Sequence, residues 1–316
     1  HMTGVTFDRT KLSFFEEFAM EYICYDCPRK CGARRGDVSP GGVCMSPALP
    51  RIARAAPHYG EEPCISGARG SGAIFFTGCN LRCVFCQNRD ISRGQGGKSV
   101  DAQGLRDIML RLRDEGVHNV NLVTPSHFSR VIAEALDGLE LGIPVVWNSS
   151  GYDSVETLRR LEGLVQVYMP DFKYARREPA KRYSAAEDYP DIAAAAICEM
   201  FRQRGPYKLD EDGMLVSGLL IRHLIMPGQE LNSMDVIDFI SEKFSEGDVL
   251  FSLMSQYTPM PGLERFPELQ RRITQDTNSL LIEYMENSGI TDGYWQEVES
   301  ATADMIPDFD GTGVNA

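Results

Sequence analysis

Apolar positions along the chain fall into two rhythms. Short unbroken runs at 73–77, 120–123, 145–148, 165–169, 219–225 and 249–254 have the length and composition of strands buried on both faces. Between and after them, at 101–115, 128–139, 154–162, 179–204, 234–244 and 267–287, apolar residues recur at helical spacing. Alternation of this kind predicts an α/β fold with a parallel sheet and helices outside it. Six such strands make an open, partial (β/α)6 barrel.

Parallel barrels gather their reactive groups where strands end and loops begin. Polar residues stand at those places: Thr124, Ser126 and His127 after the second strand, Asn148, Ser149 and Ser150 at the third, Asp171 and Lys173 at the fourth, Arg222 and His223 at the fifth. Asp171 and Lys173 are two apart, so on extended backbone both side chains face the barrel mouth. A salt bridge closing the barrel end accounts for that pair as well as ligand binding does. His223 lies mid-strand between apolar neighbours, the usual setting of a satisfied core histidine. His127 begins a helix, where a capping role competes with a chemical one.

At 316 residues, with hydrophobic and charged shares of 43% and 24%, the composition is that of an ordinary globular protein of one large or two small domains. The chain divides into an N-terminal extension (1–19, His1 reading as a tag remnant before Met2), a cysteine-rich segment and linker (20–69), the barrel (70–262) and a C-terminal helix and tail (263–316). No apolar run approaches the ~18 to 20 residues that span a bilayer, and the start lacks a signal-peptide pattern. The expectation is a cytoplasmic protein with no membrane partner. A net charge of -13 and a pI near 4.9 argue against nucleic acid, which needs a basic footprint. The arginine-rich stretch 29–35 and the cluster Arg176, Arg177, Lys181 and Arg182 read as solvated faces.

Cysteine spacing changes the picture. Cys79, Cys83 and Cys86 form C-x3-C-x2-C directly behind the first predicted strand. Three thiolates in one short loop can hold three corners of a cubic iron-sulfur cluster and leave the fourth iron open for a substrate. The alternatives are a zinc site short of one ligand and three unrelated core cysteines. A disulfide reading fails, because an odd set of closely spaced thiols without an export signal points to metal. A second group, Cys24, Cys27, Cys31 and Cys44, forms C-x2-C-x3-C-x12-C, with Gly32, Gly36, Gly41 and Gly42 between its members. The glycines allow tight turns, and the segment has too little apolar surface to order itself without a metal. Tetrahedral zinc and an auxiliary [4Fe-4S] cluster suit these four thiolates equally. Cys64 and Cys198 read as structural.

The triplet and its position resemble the signature of the radical S-adenosylmethionine (SAM) enzymes. The chain as a whole is similar to the branch that holds the activating enzymes of pyruvate formate-lyase and other glycyl radical enzymes. The matching stretches run nearly end to end: 24–44, 70–92, 121–128, 148–152, 168–174, 221–228, 254–259 and 306–314. The resemblance implies a [4Fe-4S] cluster on Cys79, Cys83 and Cys86 whose open iron chelates the methionine half of SAM. One electron from that cluster then splits SAM into methionine and a 5'-deoxyadenosyl radical that abstracts hydrogen. A low-potential electron donor of flavodoxin or ferredoxin type is the implied partner.

Asn148, Ser149, Ser150, Asp171 with Lys173, and His223 match places where the family contacts SAM. Asp171 and Lys173 are expected at its ribose hydroxyls and methionine carboxylate. Where the activases hold the methionine amino group with Gly-Gly-Glu, this chain has Leu122-Val123-Thr124, leaving backbone carbonyls and the Thr124 hydroxyl. Many activases also carry a ferredoxin-like insertion after the triplet, whereas here only 87–100 intervenes and the extra cysteines are N-terminal. The family therefore does not fix the substrate, which is a protein glycine, another macromolecule or a small molecule. A peptide target requires an open barrel mouth, and a small molecule a mouth closed by the N-terminal cysteine knuckle and the segment 256–262.

The segment 92–99 fails the phosphate-loop pattern, since Ser92 stands at the first glycine position and no strand precedes it. It reads as a flexible loop covering the cluster side. Two other function classes compete. An electron carrier would hold clusters without cleaving SAM, yet it has no use for Ser149, Asp171 and Lys173 at a barrel mouth. A zinc-dependent binding module with a decayed barrel would hold zinc and turn over no SAM.

Overall fold

A computed structural model describes residues 22–36, 40–298 and 306–314. The extension read at 1–19 lies outside the described residues. Twelve strands are described: β1 Tyr22–Cys24, β2 Ala33–Arg35, β3 Arg51–His58, β4 Ser71–Phe76, β5 Lys98–Ser99, β6 Val120–Val123, β7 Val145–Ser149, β8 Val167–Pro170, β9 Lys208–Leu209, β10 Leu215–Leu224, β11 Leu250–Met254 and β12 Gly293–Trp295. The helices are α1 Pro63–Ser66, α2 Arg89–Ser92, α3 Ala102–Asp114, α4 Ser129–Leu136, α5 Val155–Arg160, α6 Arg177–Ser184, α7 Tyr189–Arg204, α8 Glu230–Lys243 and α9 Gln275–Asn287.

Six parallel strands stand side by side in the order β4-β6-β7-β8-β10-β11. Helices α3, α4, α5, α7 and α8 supply the crossovers between them. The sheet is extended by β12, parallel to β11, at one edge, and by antiparallel β3 and then β5 at the other. This is the predicted α/β fold with a largely parallel sheet, and its open strand order is consistent with a partial barrel. Strands β4, β6, β7, β8 and β11 are buried at every position. Strands covered on both faces must be apolar throughout, which is why their sequences read as unbroken runs. Helix α3 turns Leu105, Ile108, Met109 and Leu112 inward at helical spacing. It starts where the Asp101 carboxylate accepts the Gly104 N–H at 2.8 Å.

Four elements depart from what the pattern predicts. The helix expected over 179–204 is two helices, because the chain leaves α6 at Ala185 with φ +47°. The carbonyls freed there are met by Arg29, whose guanidinium bonds Ser184 O at 2.8 Å and Ala185 O at 2.5 Å. The helix expected over 267–287 is a 3-10 turn, Pro267–Leu269, followed by α9. Strand β3 was not foreseen, since Arg51-Ile52-Ala53-Arg54-Ala55-Ala56-Pro57-His58 alternates too weakly to read as a strand. It pairs antiparallel with β4, and the tail 306–314 lies along it, with Gly311 N–H on Ala53 O and Ala55 N–H on Thr312 O, both at 2.9 Å. The segment expected as a loop over the cluster side carries β5, which pairs with β3.

Candidate functional site

The cysteine triplet follows β4 through Gly78, whose φ of +81° favours glycine. A Cβ there would lie 2.0 Å from Ser46 Oγ and 2.6 Å from Cys44 O, so the N-terminal segment presses directly on the loop. The loop then aims N–H groups at sulfur. Leu81 N–H and Arg82 N–H both point to Cys79 Sγ at 3.4 Å, and Ser184 Oγ donates to Cys83 Sγ at 3.2 Å. Cys79 and Cys83 are buried and Cys86 half-buried. Burial pushes the Cys79 thiol up to about 12, and the Cys83 sulfur adds to the effect. Burial raises the Cys86 thiol as well, Cys83 again adding and Lys173 opposing. Neighbouring buried thiols ionise together only when a cation takes the place of their protons.

The three cysteines line a cavity of about 240 Å³ together with Thr124, Asn148, Ser149, Ser150, Asp171, Lys173 and Arg222. Arg222 organises the polar side. Its Nη1 donates to Glu61 Oε2 at 2.8 Å, its Nη2 to Asn148 Oδ1 at 2.8 Å, and its Nε to Asp171 Oδ1 at 3.0 Å. The second Glu61 oxygen accepts from Asn121 and Asn148, each at 3.0 Å. Lys173 Nζ completes the group by bonding Asp171 Oδ2. Burial alone would disfavour every one of these charges. For Asp171 it is outweighed by Lys173 and Arg222, which hold the carboxyl below its usual range. Lys173 and Arg222 are likewise held above theirs, against burial, Asp171 being the main opposing charge for each. Lys173 and Arg222 thus face the carboxylates of Asp171, Glu61 and, at 3.9 Å from Arg222, Glu62 beside the thiols.

Of the residues expected at the cofactor, Thr124, Asn148, Ser149, Ser150, Asp171 and Lys173 share this cavity. Thr124 has φ +60°, a rare conformation for a β-branched residue, and its N–H bonds Asn148 O at 2.8 Å. Ser149 is committed within the protein: its hydroxyl donates to Asp153 Oδ2 and accepts Gly151 N–H. Ser150 has a buried hydroxyl with no partner among the described residues. His223 does not join them. Its ring lies on the other face of β10, with Nδ1 on Phe172 O at 2.7 Å and Nε2 on Ser233 Oγ at 2.8 Å. Arg222 stands in the cavity instead, because neighbouring strand residues face opposite ways. His127 is buried with Nε2 on Thr77 O at 2.8 Å, outside the cavity lining.

Glu61 was missed as a site residue, and Arg222 was named at the end of the fifth strand without a site role. A charged residue inside the apolar run Leu219 to Ile225 was the available signal for Arg222. No local pattern marks Glu61, whose partner Arg222 lies 161 residues away.

The N-terminal cysteines sit on the outer side of the triplet loop. Strands β1 and β2 form a hairpin. Arg29 Nε reaches Asn80 O at 2.8 Å and Arg82 Nη1 reaches Val43 O at 3.1 Å. Asp26 ties the segment to α4 and α5 by accepting from Arg130 at 2.8 and 3.0 Å and from Arg160 at 3.2 Å. Among the described residues no three His, Cys, Asp or Glu side chains converge on a point that a single metal ion could occupy, and no helix is long and apolar enough to cross a membrane.

Comparison with known proteins places this geometry. A model of the Radical SAM superfamily matches residues 73–240, more than half of the chain. The uncharacterised protein MJ0674 of Methanocaldococcus jannaschii is 33% identical over 239 residues, 72% of this chain and 65% of that protein. A crystal structure of Streptococcus suis SuiB bound to S-adenosylmethionine is similar in fold, with a TM-score of 0.51 and 15% identity over 71% of this chain and 49% of SuiB. The chain spans less than two thirds of either protein's length. From the extent of the family match, it belongs to the Radical SAM superfamily.

Proposed function

We propose that the protein reductively cleaves SAM at a [4Fe-4S] cluster held by Cys79, Cys83 and Cys86, and directs the resulting 5'-deoxyadenosyl radical to hydrogen abstraction. Family membership implies the cluster and SAM as cofactors. The observation that carries the proposal is one cavity lined both by three closely spaced thiols and by the Asn148, Asp171, Lys173 and Arg222 group. The residues suit the cofactors. Buried thiols with N–H and O–H groups aimed at sulfur are the setting that holds and tunes such clusters. When bound, the reduced cluster supplies one electron to the sulfonium of SAM.

The chain's own residues bind and orient. Ser150 offers an unpaired hydroxyl to a polar ligand, and Thr124 exposes a strained peptide at the mouth of β6. Asn148, fixed by Glu61 and Arg222, and Lys173, fixed by Asp171, present preset polar atoms that need no reorganisation on binding. A low-potential one-electron donor is the required partner.

For the substrate we favour a polypeptide segment, a glycine of a partner protein being one form of it. Among the described residues the N-terminal cysteine segment contributes nothing to the cavity lining, whose rim includes Gln256, Ile306 and Pro307. Of the two covers expected over a small molecule, only Gln256 of 256–262 reaches the lining among the described residues, which supports the polypeptide reading. Spectroscopy of the reduced, reconstituted protein tests the cofactor reading: added SAM should change the electron paramagnetic resonance (EPR) signal of the cluster, and Cys83→Ala should abolish that response. A signal indifferent to SAM would contradict it. Deuterium passing from a deuterated candidate protein into 5'-deoxyadenosine would identify a polypeptide substrate, and its failure to pass would exclude that candidate.

A further inference from the structure

We infer that Tyr174 and Ser184 form a hydroxyl chain that ends on the Cys83 sulfur and eases one-electron reduction of the cluster Cys83 helps to hold. This rests on the cofactor reading proposed above. Both are positioning residues that act through the Cys83 thiolate. The first ground is geometry. Tyr174 Oη lies 2.8 Å from Ser184 Oγ, which lies 3.2 Å from Cys83 Sγ. All three residues are buried. A ligating thiolate accepts hydrogen bonds and donates none, so the Ser184 proton points to sulfur and the Tyr174 proton to Ser184 Oγ. Each hydroxyl then donates once, and the outer bond polarises and strengthens the inner one.

The second ground is support. Ser184 is the last residue of α6, and Arg29 ties that helix end to the triplet loop. Its guanidinium bonds Ser184 O at 2.8 Å and Ala185 O at 2.5 Å on the helix side, and Asn80 O at 2.8 Å and Leu81 O at 3.3 Å on the loop side. Beyond Cys83, Val84 N–H donates to Tyr183 O at 2.9 Å, and the Phe85 and Tyr183 rings meet edge to face at 6.5 Å. The helix end is thus fastened to the loop on both sides of Cys83, which holds the Ser184 hydroxyl against the sulfur.

The third ground is the kind of donor. Cys79 is served by the Leu81 and Arg82 N–H groups, which any side chains at those positions would supply. Cys83 is served by a side chain 101 residues away, so its bond exists only because a hydroxyl stands at position 184. A reduced cluster is more negative than an oxidised one and gains more from a donor aimed at its sulfur, so such a bond raises the reduction potential. The electron itself comes from the external one-electron donor, and no proton or group moves along the chain of hydroxyls.

A redox titration of the reconstituted protein, following the EPR signal that responds to SAM and run beside iron analysis, tests this. Ser184→Ala should keep the parental iron content and the SAM response, while its midpoint potential falls by about 59 mV or more, a tenfold loss in the one-electron reduction equilibrium. Tyr174→Phe should lower the potential by less. Ser184→Thr, which keeps a hydroxyl, should match the parent, and Ser184→Ala combined with Tyr174→Phe should fall no further than Ser184→Ala alone. An unchanged or raised potential in iron-loaded Ser184→Ala, or a double variant that falls by the sum of the two, would overturn the chain of hydroxyls. If Ser184→Ala loses iron, a parental potential in Tyr174→Phe overturns it and a lowered one supports it. A parent with no cluster that responds to SAM would instead overturn the cofactor reading, and this inference with it.

Discussion

Arg222 and His223 are neighbours on β10 that serve opposite faces of the sheet. The guanidinium bridges Glu61, Asn148 and Asp171 at the cavity, while the imidazole is clamped between Phe172 O and Ser233 Oγ behind it. A carbonyl can only accept, so Nδ1 carries a proton, and in the neutral ring Nε2 accepts from the Ser233 hydroxyl. Burial is what favours the neutral ring.

The burial of that ring sets a pH dependence. Burial pushes His223 down to about 4 from an ordinary 6.5. The folded state binds this proton less readily than the unfolded chain, so the stabilisation is complete above pH 6.5 and is lost as pH falls toward 4. The gap corresponds to about 3 kcal/mol. His223→Gln should flatten the fall in stability between those pH values in urea unfolding, and an unchanged slope would show that other groups cause it.

Removing Arg222 takes the cation from Glu61 and leaves Asp171 with Lys173 alone. Arg222→Met leaves the Glu61 and Glu62 carboxylates without their cation in a buried site, and should cost about 3–5 kcal/mol of stability by chemical denaturation. A loss below about 1 kcal/mol would mean the site is far wetter than its burial indicates.

Asp171→Asn should weaken SAM binding by about tenfold or more, because a charged acceptor that fixes Lys173 is lost. Iron content should stay at the parental level. Equal SAM affinity in a calorimetric titration would reduce Asp171 to a structural closure of the barrel end.

Thr124 offers a separation of stability from binding. A β-branched residue at φ +60° carries about 1–2 kcal/mol of strain, whereas glycine adds about 0.5–1 kcal/mol of unfolded-state freedom. Thr124→Gly should leave the protein as stable or up to about 1 kcal/mol more stable, with weaker SAM binding. A clearly less stable variant would show that the threonine side chain holds the loop in place.

Much of this molecule was legible because doubly buried strands are apolar along their whole length. The runs at 120–123 and 249–254 match β6 and β11 to within a residue. The cysteine triplet was legible because its spacing is local. Strand β3 was not, since Arg51 and Arg54 interrupt its apolar positions and its pairing with β4 and the tail supplies what alternation does not. The polar cradle was half visible. Asp171 and Lys173 reveal themselves by their spacing of two, but Glu61 acquires its role only when folding brings it to Arg222. His223 drew notice as a histidine on a barrel strand, and strand parity assigns the cavity to its neighbour.

The central claim is tested most directly by 5'-deoxyadenosine formation from SAM in anaerobically reconstituted, chemically reduced protein, run beside Cys83→Ala. The account predicts product from the parent and none from the variant. Product from both, or none from a parent whose cluster is fully loaded and reduced, would contradict it.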